Sequence, residues 1–209
     1  MFVALQHQNF KTMKSEEKEF TPIDSLQIIR SMIESTRHSL YDSSPYFLLW
    51  GWAVMIACVT QFLMLLFKNP NHSLSWAIII PITLVVYFIM IFKQAKKEKV
   101  KTFVGEANGY LWTALGSCFI VFPFIFSKIG WQFCLPFYIL IYGVGTFVSG
   151  KLMDYKPFVY GGVICYPLAI ITPYVSYNYQ LLLASLAILV SYIIPGHLLR
   201  AHYKKVNTL

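Results

Sequence analysis

Acidic residues are few in this sequence, nine in 209, and none falls inside its long apolar windows. Glu16, Glu17, Glu19, Asp24, Glu34, Asp42, Glu98, Glu106 and Asp154 all read as part of the N-terminal segment or of the polar connections. Inserting an ionisable group near the bilayer midplane costs at least about 2.5–3.5 kcal/mol, so such a group usually marks an ion or proton path. Its absence argues against proton- or sodium-coupled transport, which places carboxylates or histidines at that depth. Intramembrane proteolysis is equally hard to build. The sequence has no HExxH and no aspartate pair, and Ser117, Ser149, Ser185 and Ser191 have no evident base. Those serines read as helix-packing hydroxyls.

Cysteine is scarce as well. Cys58, Cys118, Cys134 and Cys165 stand apart inside apolar windows, with no CxxC and no Cys/His spacing. That pattern argues against a metal site or a disulfide framework and for small packing residues. His197 and His202 are five apart and do not share a helical face as an i,i+4 pair would. No metal and no cofactor is expected. The opening "MFVALQHQNF" lacks the basic and apolar regions of a secretory signal, and "MKSEEKEF" from Met13 resembles an ordinary start, leaving 1–12 as an extension.

What the chain has in abundance is hydrophobic residues, 57% of the total, gathered into windows without charge. About 20 apolar residues span a bilayer core of roughly 30 Å as a helix. Six windows qualify, at 46–67, 74–92, 109–127, 131–149, 157–175 and 179–199. They are continuously apolar rather than alternating, which favours helices over barrel strands. The expected fold is all-α: a polytopic membrane bundle of six transmembrane helices within 43–200. A disordered segment at 1–20 and an amphipathic cytoplasmic helix at 21–42 precede it, and a short basic tail at 201–209 follows.

The basic residues orient that bundle. Of seventeen Lys and Arg, all but Lys68 and Lys128 fall in the N-terminal segment, the second and fourth connections or the tail, which share one side. The side rich in Lys and Arg is normally cytoplasmic, so both termini are expected there. The run Lys93–Lys101, five lysines within "KQAKKEKVK", is then a topogenic marker. It also attracts anionic headgroups, by around 1 kcal/mol per residue near the surface. A nucleic-acid role is not expected, since no folded domain accompanies the run. Trp50, Trp52, Trp76, Trp112 and Trp131 lie near the window ends, where indoles serve as interfacial anchors.

Within 21–42, Thr21 suits an N-cap, Pro22 the first helical position and Asp24 the third. Leu26, Ile29, Ile33, Thr36 and Leu40 recur at steps of three and four, forming one stripe. The helix would lie in the inner-leaflet interface, dock on the bundle, or offer a two-heptad seam to a partner. Glycine and small residues also pair at steps of four. Gly145 with Ser149, and Thr146 with Gly150, form overlapping small faces, and Gly161 and Gly162 add a further close-approach point. Pro81, Pro123, Pro136, Pro167, Pro173 and Pro195 should kink several helices. The outer connections are too short to fold into a receptor domain. The first and third windows share a loose "Y…LW…G" opening with different spacings, so three helical hairpins are read without symmetry.

"DSLQIIRSMIESTRHSL", "YFLLWGWAV" and "SGKLMDYKPFVYGGVICY" together resemble a loose group of small, uncharacterised six-span bacterial inner-membrane proteins. The resemblance implies a multi-pass inner-membrane location and lends no catalytic or binding residue. The function expected is non-enzymatic: a membrane subunit, regulator or scaffold that contacts a protein partner or a second copy of itself. The alternative is a facilitator or channel for a small neutral or hydrophobic solute, with Tyr138, Tyr142 and Tyr166 lining its path. A lipid-directed enzyme comes third, with Glu106, Asp154, His197 and His202 as its acid/base groups.

Overall fold

The computed structural model describes residues 22–95 and 103–206. The segment 1–20, Lys96, Lys97, Lys99 and Lys101, and the side chains of Ile29, Ile33, Leu40 and His202 lie outside the described residues. Contacts divide the chain into two units, Met1–Ser35 and Thr36–Leu209. In the first unit the described part is helical, and Leu26 is exposed.

The described residues are helical throughout apart from short connections, and no strand occurs among them. Helix α1 covers Pro22–Leu66, α2 Leu74–Ala95 and α3 Phe103–Ile129. After a 3-10 turn at Trp131–Phe133 come α4, Cys134–Leu152, and α5, Lys156–Ile171. A second 3-10 turn at Thr172–Tyr174 leads to α6, Tyr177–Ile188. A π-helical segment at Leu189–Ile193 joins α6 to α7, Ile194–Val206. Six stretches are long and apolar enough to cross a membrane, so the chain is consistent with a multi-pass membrane protein. They run Ser44–Leu66, Leu74–Lys93, Val104–Ile129, Trp131–Leu152, Lys156–Tyr174 and Tyr177–Ala201.

The observed bounds shift from the expected ones by a few residues, and two of the differences have a clear physical reason. The amphipathic segment and the first span form one helix, because helix continues through Pro45 rather than breaking there. A proline removes one backbone donor, yet helix remains the cheapest way to satisfy the neighbouring peptide groups in an apolar setting. The third span starts at Val104, well before 109, since Glu106 is accommodated in the first turn of α3. A carboxylate is favourable there, beside the unpaired N–H groups of a helix start.

The helix ends are built from hydrogen bonds. Lys68 has φ 54°, Asn69 N donates to Met64 O at 2.9 Å, and Lys68 N donates to Leu65 O at 3.0 Å. Asp154 has φ 50°, Tyr155 N donates to Gly150 O at 2.8 Å, and Asp154 N donates to Lys151 O at 3.3 Å. Both are Schellman terminations that satisfy the last carbonyls of α1 and α4 and turn the chain back on itself.

The core of the second unit lies around α4, α5 and the sixth span. Their inward faces carry Ile139, Tyr142, Phe158, Cys165, Leu181, Ile188 and Tyr192, all buried. The α4–α5 pair is the closest in the fold. A Cβ on Gly162 would lie 2.6 Å from Phe147 N, and one on Gly150 would lie 2.7 Å from Val159 N. Only hydrogen fits at these points, as helices packed this closely require.

Candidate functional site

Two features of the described residues bear on function: a set of internal polar ties and an open face on α3. The ties begin with donors that have nowhere else to go. An indole N–H that leaves water needs an acceptor. Trp50 Nε1 donates to Tyr142 OH at 3.2 Å, joining α1 to α4. Trp112 Nε1 donates to Ser149 Oγ at 3.0 Å, and Ser149 Oγ donates to Asn108 Oδ1 at 2.6 Å. Trp76 Nε1 donates to Gln61 Oε1 at 2.6 Å. Three of the five tryptophans expected as interfacial anchors, Trp50, Trp76 and Trp112, are therefore turned inward. Trp52 and Trp131 are exposed, with Trp52 Nε1 donating to His197 Nε2 at 3.4 Å.

Aromatic rings fill the space between these ties. Phe47 meets Trp112, Phe158 and Tyr192 at centroid distances of 5.7, 4.9 and 5.5 Å. Tyr142 meets Tyr192 at 5.3 Å, and Tyr138 stacks on Phe119 at 5.3 Å. Such pairs add about 0.5–1.5 kcal/mol each beyond area burial. Tyr138 and Tyr142, considered above as pore groups, are thus engaged with neighbouring rings.

The small residues divide by partner. Gly150 and Gly162 let α4 and α5 meet backbone to backbone, while Gly161 sits against Val190 O and Ser191 of the π segment. Gly145 instead receives the Trp112 indole, to which an added Cβ would come within 2.7 Å. Thr146 and Ser149 are fully buried, and Thr146 Oγ1 donates to Tyr142 O at 2.7 Å.

The open face is the converse case. Gly109, Thr113, Gly116 and Ile120 share one stripe of α3, and a Cβ on Gly109 or Gly116 would meet nothing within 4 Å. Thr113 Oγ1 donates to Gly109 O at 2.8 Å, which satisfies the hydroxyl locally and leaves the stripe without a hydrogen-bonding demand. Only 6% of the apolar window of this span is buried, against 50% in the fourth and sixth spans.

The acid/base candidates are dispersed. Glu106 accepts from Tyr110 OH at 3.0 Å on the exposed side of α3. Asp154 occupies the left-handed position that terminates α4, and His197 accepts from Trp52. Among the described residues no hydrogen bond or ion pair joins Glu106, Asp154 and His197, and no group of three His, Cys, Asp or Glu is placed to hold a metal. Between the fourth and fifth spans, Tyr155 OH donates to Pro195 O at 3.4 Å, and burial pushes its phenol above the ordinary value.

Sequence reasoning passed over the neutral amides. Gln61, Asn108 and Gln180 are buried, and Gln61 and Asn108 tie separate helices together. The signal available was an amide inside or beside an uncharged window, which has to find partners once it leaves water. Comparison with protein-family models, with curated proteins and with solved structures finds no match for the chain.

Proposed function

We propose that the chain is a non-enzymatic multi-pass subunit, regulator or scaffold of the bacterial inner membrane, with both termini cytoplasmic. It works through helix–helix contacts and its cytoplasmic face, where Lys93–Lys101 engages anionic headgroups. The observation that carries this reading is the open stripe of α3. Elsewhere in the bundle, Gly143, Gly145, Gly150, Gly161 and Gly162 are each crowded by a neighbour within 3 Å of an added Cβ. Gly109 and Gly116 have the same chemistry and no neighbour. Small residues at helical spacing suit the close approach of another helix, whereas contact with lipid asks only for apolar bulk.

A photo-crosslinking residue at Thr113 tests this in cells. A protein adduct is expected, either to a partner or to a second copy, and it should be lost when Gly109 and Gly116 are both replaced by Leu. The same probe at Ile82, an exposed position of α2, serves as the lipid-facing control. Adducts to lipid alone at Thr113, with no self-association in mild detergent, would remove the reading.

A further inference from the structure

Gln61 is 3% exposed and is bonded on both sides of its amide. Trp76 Nε1 donates to Oε1 at 2.6 Å, while Nε2 lies 3.3 Å from Tyr177 OH and 3.2 Å from His72 Nδ1. An indole can only donate, so the Trp76 contact fixes which way the amide points. Oε1 faces the indole, and Nε2, with two protons and no lone pair to offer, faces Tyr177 and His72. His72 Nδ1 must therefore accept. That requires a neutral imidazole carrying its proton on Nε2.

We propose that His72 is an acid-sensitive latch for the hairpin between α1 and α2. A proton taken from solvent onto Nδ1 converts the acceptor into a donor. Two donors then face each other across the contact, and the connection 67–73 comes away from Gln61 while Trp76 Nε1 keeps its bond to Gln61 Oε1. Ser75 Oγ donates to the carbonyl of His72 at 3.2 Å, so the connection moves about the first turn of α2 as its pivot. Apart from the bond of Trp76 to Gln61, few ties hold α2 at this end. Only 11% of its apolar window is buried, and its ring contact between Tyr87 and Tyr46 lies at the opposite end.

The titratable groups around His72 do not offset the added charge. Tyr177 comes from α6, Lys68 belongs to the same connection, and Lys128 closes the same end of α3. Among the residues whose side chains are described, the carboxylates Glu106 and Asp154 belong to the other ends of their spans. Each proton bound by Nδ1 favours the released arrangement. The latched form is thus full at alkaline pH and lost as pH falls.

This inference goes beyond the partner-binding reading and is tested on the protein alone. Spin labels are placed on Asn71→Cys and Ser176→Cys, both exposed positions, in a Cys118→Ser background in lipid nanodiscs. Double electron–electron resonance should give one short distance at about pH 8 and a longer second population at about pH 5, reversible on return. His72→Gln, whose carbonyl accepts at either pH, should hold the short distance throughout. Gln61→Leu should show the longer population already at the alkaline end. An unchanged distance in the parent chain, or an acid response that survives His72→Gln, would overturn the latch.

Discussion

A methyl group on Gly162 would lie 2.6 Å from Phe147 N and 2.8 Å from Gly143 O, both backbone atoms that cannot swing aside. On Gly109 the same methyl would meet nothing within 4 Å. The two residues are alike in sequence and opposite in use, which gives a matched pair of substitutions. Gly162→Ala forces α4 and α5 apart and should destabilise the protein by about 1–3 kcal/mol, the range for overpacking a tight contact. Gly109→Ala meets no contact and removes the helix penalty of glycine, so it should stabilise the isolated protein by up to about 1 kcal/mol. Unfolding in mixed micelles by added SDS measures both. Equal effects would mean that the glycine contacts do not hold the bundle together. At this scale the sequence was only partly legible. The spacing of Gly145, Thr146, Ser149 and Gly150 announced close packing, but it could not say that Gly145 would take an indole and Gly162 a backbone. That choice depends on which helices become neighbours, a property of no single segment.

Among the elements, the break between α6 and α7 has a local cause. Pro195 has no N–H, and its ring crowds the carbonyl of Ser191 one turn earlier. The π segment at Leu189–Ile193 loosens that turn, in the manner of a single-residue insertion into an α-helix. Its wider turn presents the backbone at Val190 and Ser191 to Gly161 and buries Tyr192 against Tyr142. Such an insertion has a signature on deletion. Removing Val190 should let the segment close to ordinary helix while the flanking faces keep their orientation, so Leu181 and Leu199 stay buried. Removing Val144 from the regular helix α4 should rotate everything after it by about 100° and expose the face that meets α5. Size-exclusion profiles and circular dichroism in detergent are expected to show a folded, monodisperse Val190 deletion and an aggregated Val144 deletion. Aggregation of both would show that the segment is not a tolerated insertion. The sequence offered Pro195 as a kink and no sign of where the helix would widen, since a π turn needs the same apolar residues as an α turn. The same limit hid the inward turn of Trp50, Trp76 and Trp112. Helices that are apolar all round carry no periodic signal for which side is buried.

For the whole molecule, the reading from sequence was strongest where the physics is a bulk property. Six windows were visible because the length and apolarity needed to cross a bilayer are properties of a stretch, not of a contact. The internal ties were not visible, because Gln61, Asn108 and Ser149 find their partners only through the tertiary arrangement. The orientation proposed here also rests on a bulk property. Apart from Lys68 and Lys128, every Lys and Arg falls in a segment that alternating spans place on one side. Basic residues near a span end resist translocation, and two isolated lysines against fifteen leave a strong bias. Alkaline phosphatase, which is active only after export, should be inactive when fused after Leu209 and active when inserted at Asn71. Replacing Lys93, Lys96, Lys97, Lys99 and Lys101 together by Gln removes the densest retained charge, and the fusion after Leu209 should then gain activity as a fraction of chains insert inverted. If those lysines serve only to attract headgroups, the five-fold substitution would weaken binding of anionic vesicles and leave both reporters unchanged.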